Sequence, residues 1–509
     1  MWMFLRGFVA RVVGNTRQRP TLLQCNNIGA GLFPHDIKLP KRFHELRRFN
    51  SEADPVSEFH HAVATLGALA FGYDTGVIAG ALPFMSKAVH EGGLGLTAFS
   101  EGLVTSALII GAALGSFAAG QLSDRFGRRK CLLVLAVVFF VGALGTAFAP
   151  DIPIMVAMRF ILGIGVGGSS TIVPLFIAEV APPKRRARLV TRSELMIVSG
   201  QMVAYVTSAV LAHVVDNPEV WRIMLGLAAV PAVLLWVGMM FAPESPRWLA
   251  QHGRENDARD VMKAIRRDPQ QREKEMAAMT DASSDEDAAS FADLREPWIR
   301  NLLLIGIGLG FVAQFSGINA FMYFTPIILQ STGLTTEAAL TATIGNGVVS
   351  LLATCLGLWL IGRVPRRRML LTGLSGVLVA QLALGLALQQ MPDGAARSYA
   401  ALGIIFVFLF CYQSMVSTTY WLMMSELYPQ RMRGMIAGIA VALQWVFNAT
   451  VAFLFPMIMS VVGYSTFFIF FAINVLSVLF VARFVPETRG KSLEKLEAHL
   501  QRELTPEPA

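Results

Sequence analysis

Asp74 is the one charge in an apolar run from Ala62 to Met85, and Arg159 is the one charge in a second run from Ile154 to Ala178. Each run is long enough to cross the hydrocarbon core of a bilayer, which takes about 20 apolar residues. A charge at that depth is expensive, so it is kept for a purpose and normally has a partner. An acid that can take up a proton, beside a guanidinium that cannot lose one, is chemistry for coupling proton movement to a change of shape. A purely structural ion pair would use the same two residues, and the spacing alone leaves both readings open.

The elements that must hold this pair are membrane helices. The chain has 509 residues, 54% hydrophobic and 15% charged, with mean hydropathy +0.53. A soluble chain would carry about a quarter charged residues. Twelve apolar stretches begin near residues 61, 101, 131, 154, 189, 222, 298, 336, 368, 398, 433 and 463. The net charge of +8 gathers in alternate loops, at Arg125–Lys130, Lys184–Arg188, Arg363–Arg368 and Arg431–Arg433. The positive-inside rule therefore puts both termini and the 243–297 linker in the cytoplasm, and nothing in this distribution points to nucleic acid. Residues 1–58 read as an irregular basic extension, 59–242 as one six-helix bundle, 298–485 as a second, and 486–509 as a cytoplasmic tail. Within the linker, Asn256–Arg267 and Gln270–Met279 read as short charged helices and Thr280–Ala289 as a flexible break.

The two halves echo each other. Glu179, Pro182 and Arg186 recur in spacing as Glu426, Pro429 and Arg433; Gly127-Arg128-Arg129 recurs as Pro365-Arg366-Arg367; Pro243-Glu244-Ser245 recurs as Pro486-Glu487-Thr488. Duplicated halves imply a site between them near the midplane and alternating access by rocking.

The stretch Gly120-Gln-Leu-Ser-Asp124-Arg125-Phe-Gly127-Arg128-Arg129-Lys130 resembles the loop motif of the major facilitator superfamily. Phe71-Gly-Tyr-Asp74-Thr-Gly, Arg159-Phe-Ile-Leu-Gly163-Ile-Gly165, Pro243-Glu-Ser-Pro-Arg-Trp248 and Pro486-Glu-Thr-Arg-Gly490 look like the signature set of its sugar porter branch, in order from about residue 60 to 500. Within that branch, Gly76–Met85 and Ser193–Val198 are similar to bacterial myo-inositol:proton symporters. The resemblance implies an all-α integral membrane protein with twelve transmembrane helices in two pseudo-symmetric bundles. It also implies a proton-coupling role for Asp74, with Arg159 as its modulator.

Candidate solute contacts follow from that frame. Glu194 and Gln201 stand seven residues apart, on one helix face; a carboxylate accepts strongly from a solute made of hydroxyl donors. The alternative for Glu194 is an ion pair with a cation such as Arg192. Gln314, Asn319 and Tyr323 flank Gly317, which lets the helix break so that both amides face a cavity; an interhelical polar contact is the plainer reading. Trp421, Gln444 and Trp445 suit a ring solute, the indoles for its C–H faces and the amide for its hydroxyls. Ala313 replaces one of the family's paired glutamines, Ser417-Thr418 replace its Gly-Pro pair, and Ser350 and Gly362 are further departures. Asp124, Arg128, Glu179 and Arg186, with Arg366, Glu426 and Arg433, read as interhelical ion pairs of an inner gate or as topogenic charge.

Other chemistry has little support. Gly163-Ile-Gly165-Val-Gly167 lies inside an apolar span rather than after a strand, so it is a poor dinucleotide fingerprint. There is no Walker loop, and Cys25, Cys131, Cys355 and Cys411 lack metal or redox spacing. The expectation is a monomeric transporter of the bacterial inner membrane, neither enzyme nor cofactor-bearing. Its partners are protons, membrane lipid and a small polyhydroxylated solute, with myo-inositol favoured. A hexose or pentose symporter, or a passive sugar facilitator, is the alternative.

Overall fold

The computed structural model describes residues 55–181, 186–266, 268–281, 295–428 and 432–489, and every regular element among them is helical. Among the described residues, eleven segments are long and apolar enough to cross a membrane. The last of these, Met435–Phe484, contains two helices joined at Gly463–Ser465, which makes twelve crossings. Spans one to six are Pro55–Met85, Ala98–Phe126, Arg128–Ala147, Ile152–Val180, Arg186–Val214 and Val220–Phe241. Spans seven to twelve are Pro297–Gln330, Thr336–Ile361, Arg366–Gln390, Ala395–Met424, Arg433–Val462 and Thr466–Phe484. A helix satisfies its own backbone groups, which lipid cannot do, so each long apolar run takes this form. Side chains mark several starts: Thr97 and Ser100 form a capping box before span two, and Asp151 accepts from the Ile154 amide before span four.

Small residues set the packing. A Cβ at Gly72 would overlap the carbonyl oxygen of Ile197, and Gly76 and Gly80 lie against Gln201 and Ser208, so span one is pressed along span five. Gly163 and Gly167 face the backbone of Leu108 and Ala112, while Gly165 and Gly168 face Phe139 and Leu135. The span-four glycines thus seat it against spans two and three.

Contacts between the two sets of six spans run from the middle toward the end away from the basic loops. Thr105 Oγ1 donates to the Ala452 carbonyl at 3.2 Å, and Phe99 meets Phe453 edge-on with centroids 5.6 Å apart. The Tyr205 hydroxyl donates to the Met322 carbonyl at 3.2 Å. The halves therefore close over each other on that side.

In the linker, the two charged stretches form the helices Glu255–Ile265 and Pro269–Asp281, and Pro246–Gln251 precedes them. The Thr280–Ala289 break falls almost wholly outside the described residues. So do most of the N-terminal extension, the tail from 490, and the side chains of Arg186 and Arg433.

Candidate functional site

The two lone membrane charges meet. Arg159 Nη1 donates to Asp74 Oδ1 at 3.0 Å, with the two side chains 2% and 0% exposed. The second carboxylate oxygen of Asp74 is buried without a hydrogen-bond partner among the described residues. Close packing of span one on five and of span four on two holds the pair. Tyr323 of span seven is buried.

The second half presents amides. Gly317 has φ +85, a left-handed conformation that favours glycine, and there span seven breaks into Pro297–Phe315 and Ile318–Gln330. Past the break, Asn319 Nδ2 donates to Gln314 Oε1 at 2.7 Å and to Asn448 Oδ1 at 2.8 Å. Asn319 thereby ties Gln314 to Asn448. Behind them Gln381 donates to the Ser316 carbonyl at 2.7 Å and accepts from Asn474 at 2.9 Å, bracing the break. Gln444 accepts from the Tyr420 hydroxyl at 2.9 Å. Trp445 is buried, 6.1 Å from the Phe71 ring, and Trp421 is 44% exposed beside Tyr420. Asn448 was not singled out from the sequence, although it stands one turn after Gln444 on the same face.

Glu194 reaches the other half, accepting from Ser417 Oγ at 3.5 Å; the side chain of Arg192 lies outside the described ones. Ser417 ends a π-helical turn, Tyr412–Ser417, in span ten. There Ser414 and Thr418 hydroxyls donate to the Phe410 and Ser414 carbonyls at 2.6 and 3.0 Å. Hydroxyl-to-backbone bonding and a wide turn thus occupy the place of the missing Gly-Pro pair. Gln201 is buried against span one, its carbonyl oxygen unpartnered among the described residues.

At the basic end, Arg128 Nε and Nη2 each donate to Glu179 at 3.1 Å, and Asp124 lies 2.8 Å from Arg128 Nη2. In the second half, Arg366 Nη2 makes one 3.2 Å bond to Glu426. Every one of these bonds ties helices within a half, so none acts here as a strap between halves. The echoed Glu244 and Glu487 have a role the sequence did not disclose. Glu244 accepts from the Arg129 amide at 3.0 Å, and Glu487 from the Arg366 and Arg367 amides at 2.9 and 3.1 Å. Each carboxylate caps the positive end of a helix.

Twelve crossings in two halves, enclosing a charged pair and facing amides, define a membrane transporter for a polar solute rather than an enzyme. The chain matches the family described as "Sugar (and other) transporter" over residues 61–500 and belongs to it. It is 47% identical over 444 residues to the major myo-inositol transporter IolT of Bacillus subtilis (strain 168), covering 86% of this chain and 93% of that one. A solved structure of the xylose transporter XylE from E. coli, in a partially occluded inward-open conformation, superposes with TM-score 0.74 at 30% identity. That match covers 86% of this chain and 99% of XylE. The same transporter, described as a major facilitator superfamily proton:xylose symporter bound to 6-bromo-6-deoxy-D-glucose, gives TM-score 0.70 at 30% identity, covering 87% and 99%. The fold is that of the major facilitator superfamily.

Proposed function

We propose that the protein is a proton-coupled symporter that carries a polyhydroxylated ring solute, myo-inositol first and a pentose or hexose second, into a bacterial cell. The observation that carries this reading is the buried Asp74–Arg159 pair, 3.0 Å apart, with one carboxylate oxygen unpartnered among the described residues. Protonation of Asp74 removes the negative charge, frees Arg159 to find other acceptors, and changes the relative energy of the two access states. The bundles 59–242 and 298–485 rock about the site, and both termini lie in the cytoplasm. Gln201, Gln314, Asn319, Tyr323, Trp421, Gln444 and Trp445 take the solute, with Glu194 tuning specificity. The Arg128–Glu179 and Arg366–Glu426 pairs stiffen the inner face. Support for the solute comes from the identity to a myo-inositol transporter and from the amides gathered about the broken span seven, which suit hydroxyl groups; support for the second solute class comes from the xylose symporter's fold.

In proteoliposomes, solute addition is expected to alkalinise the side from which solute and proton enter together. Asp74→Asn is expected to lose accumulation against a gradient while solute exchange survives. Proton-driven accumulation by that variant at the wild-type level would overturn the coupling role.

A further inference from the structure

Buried polar atoms without partners gather along the seam between spans five and eight. Asn346 is 0% exposed, and neither its amide nitrogen nor its carbonyl oxygen has a hydrogen-bond partner among the described residues. Ser350, one turn further along span eight, is 1% exposed with its hydroxyl also unpartnered. On span five the Gln201 carbonyl oxygen is in the same condition.

The crossing of these helices puts the three on one side. Gly347 abuts Met202, so close that a Cβ added at Gly347 would lie 2.9 Å from the Met202 Cα. Span five and span eight run antiparallel. In two antiparallel right-handed helices, the residues just before the contact pair, Gln201 and Asn346, are each turned about 100° from the seam, and toward the same side. Ser350 follows four residues after Asn346 and shares its face. Gln201 has its backbone against Gly76 of span one, so the shared side is the one that looks toward the span carrying Asp74.

A buried primary amide with both functions unmade is costly to keep, so it points to a partner that comes and goes. We propose that Asn346 is a specificity-determining residue for the transported solute. Its N–H donates to one ring hydroxyl, its carbonyl accepts from the neighbouring one, and the Gln201 carbonyl accepts from a third group on the same edge. Ala313 leaves span seven one amide short, and Asn346 supplies one on the span packed beside it. A ring that is hydroxylated all round satisfies two acceptors and a donor on one edge in any orientation, whereas a pyranose ring oxygen on this edge can meet only the Asn346 N–H and leaves a carbonyl unmatched wherever it faces one. The assignment rests on the transport reading above and deepens it.

The test is equilibrium exchange of labelled myo-inositol in proteoliposomes at equal pH on both sides, which does not draw on proton coupling. Asn346→Ala is expected to raise the half-saturating concentration about tenfold while the maximal exchange rate stays within about twofold. Asn346→Ser, which keeps one hydroxyl there, should recover part of that loss. A monodeoxy-inositol that binds more weakly to the wild type should show no further weakening in Asn346→Ala. An unchanged half-saturation in either variant overturns the proposal. So does an equal fall in rate in both variants with half-saturation intact, the mark of a packing role. If Asn346→Ala does not assemble, the Asn346→Ser shift and the deoxy comparison on the wild type decide alone. If the wild type exchanges D-xylose and not myo-inositol, the solute assignment fails, and the same variants measured on D-xylose still test Asn346.

Discussion

The interior of the first half holds opposite charges, and the interior of the second holds neutral amides. Asp74 and Arg159 sit at 3.0 Å with almost no exposure, while Gln314, Asn319 and Asn448 bond to one another across the broken span seven. A buried ion pair is sensitive to the arrival of a proton and indifferent to ring stereochemistry; an amide cluster is the reverse. The proposed roles are therefore shared unevenly: the proton pair stands wholly in the first half, while most of the proposed solute contacts come from the second, with Glu194 and Gln201 of span five reaching in from the first. At the basic end the halves differ in degree rather than kind. Arg128 is bonded twice to Glu179 with both side chains nearly sealed, and Asp124 adds a second acid. Arg366 bonds once to a more exposed Glu426, whose other oxygen accepts from Thr488 at 2.5 Å, and Gly362 offers no acid.

That uneven sharing is open to direct attack. Set against the complete loss of uphill transport expected for Asp74→Asn, Asn319→Ala should keep accumulation while its half-saturating concentration rises about tenfold. Matching phenotypes for the two variants, in gradient-driven uptake and in exchange, would erase the distinction. The contrast at the basic end is smaller. Glu179→Gln leaves the buried Arg128 guanidinium with only the exposed Asp124 as an acid and should lower stability by about 2 kcal/mol, against about 1 kcal/mol for Glu426→Gln. Thermal unfolding in detergent compares them, and equal losses would mean the two networks are equivalent. Smallest of all, Gly362→Asp should add about 0.5 kcal/mol by giving Arg366 the neighbour that Asp124 gives Arg128. A destabilised Gly362→Asp would show that the second half has no room for that arrangement.

Much of this was legible in the chain because it is local. Apolar runs announce spans, a lone Asp or Arg inside one announces a buried charge, and glycines four apart announce a close approach, as Gly72, Gly76 and Gly80 do against span five. Long-range geometry was not legible. Glu194 and Ser417 are 223 residues apart, and no spacing rule joins them. An asparagine in an apolar run does not say which way it faces; only the Met202–Gly347 crossing turns Asn346 toward Gln201. The paired Glu244 and Glu487 were visible as an echo, but their use as helix caps depends on where spans six and twelve end. Gly127 and Pro365 solve the same turn differently, at φ +97 and −58; a Cβ at Gly127 would collide with the Glu244 carboxylate.

Among the described residues, the helices that follow span six are anchored to the first half. Trp248 Nε1 donates to the Asp124 carbonyl at 2.6 Å, and Arg266 Nη1 donates to the Val180 carbonyl at 3.0 Å. Trp248, Leu249, Met262 and Ile265 share one apolar cluster with Leu132, Phe176 and Met239. These helices travel with the first six spans, so a load hung on them in the cell, whether a bound protein or a bulky modification, would drag on the half that carries Asp74 and Arg159.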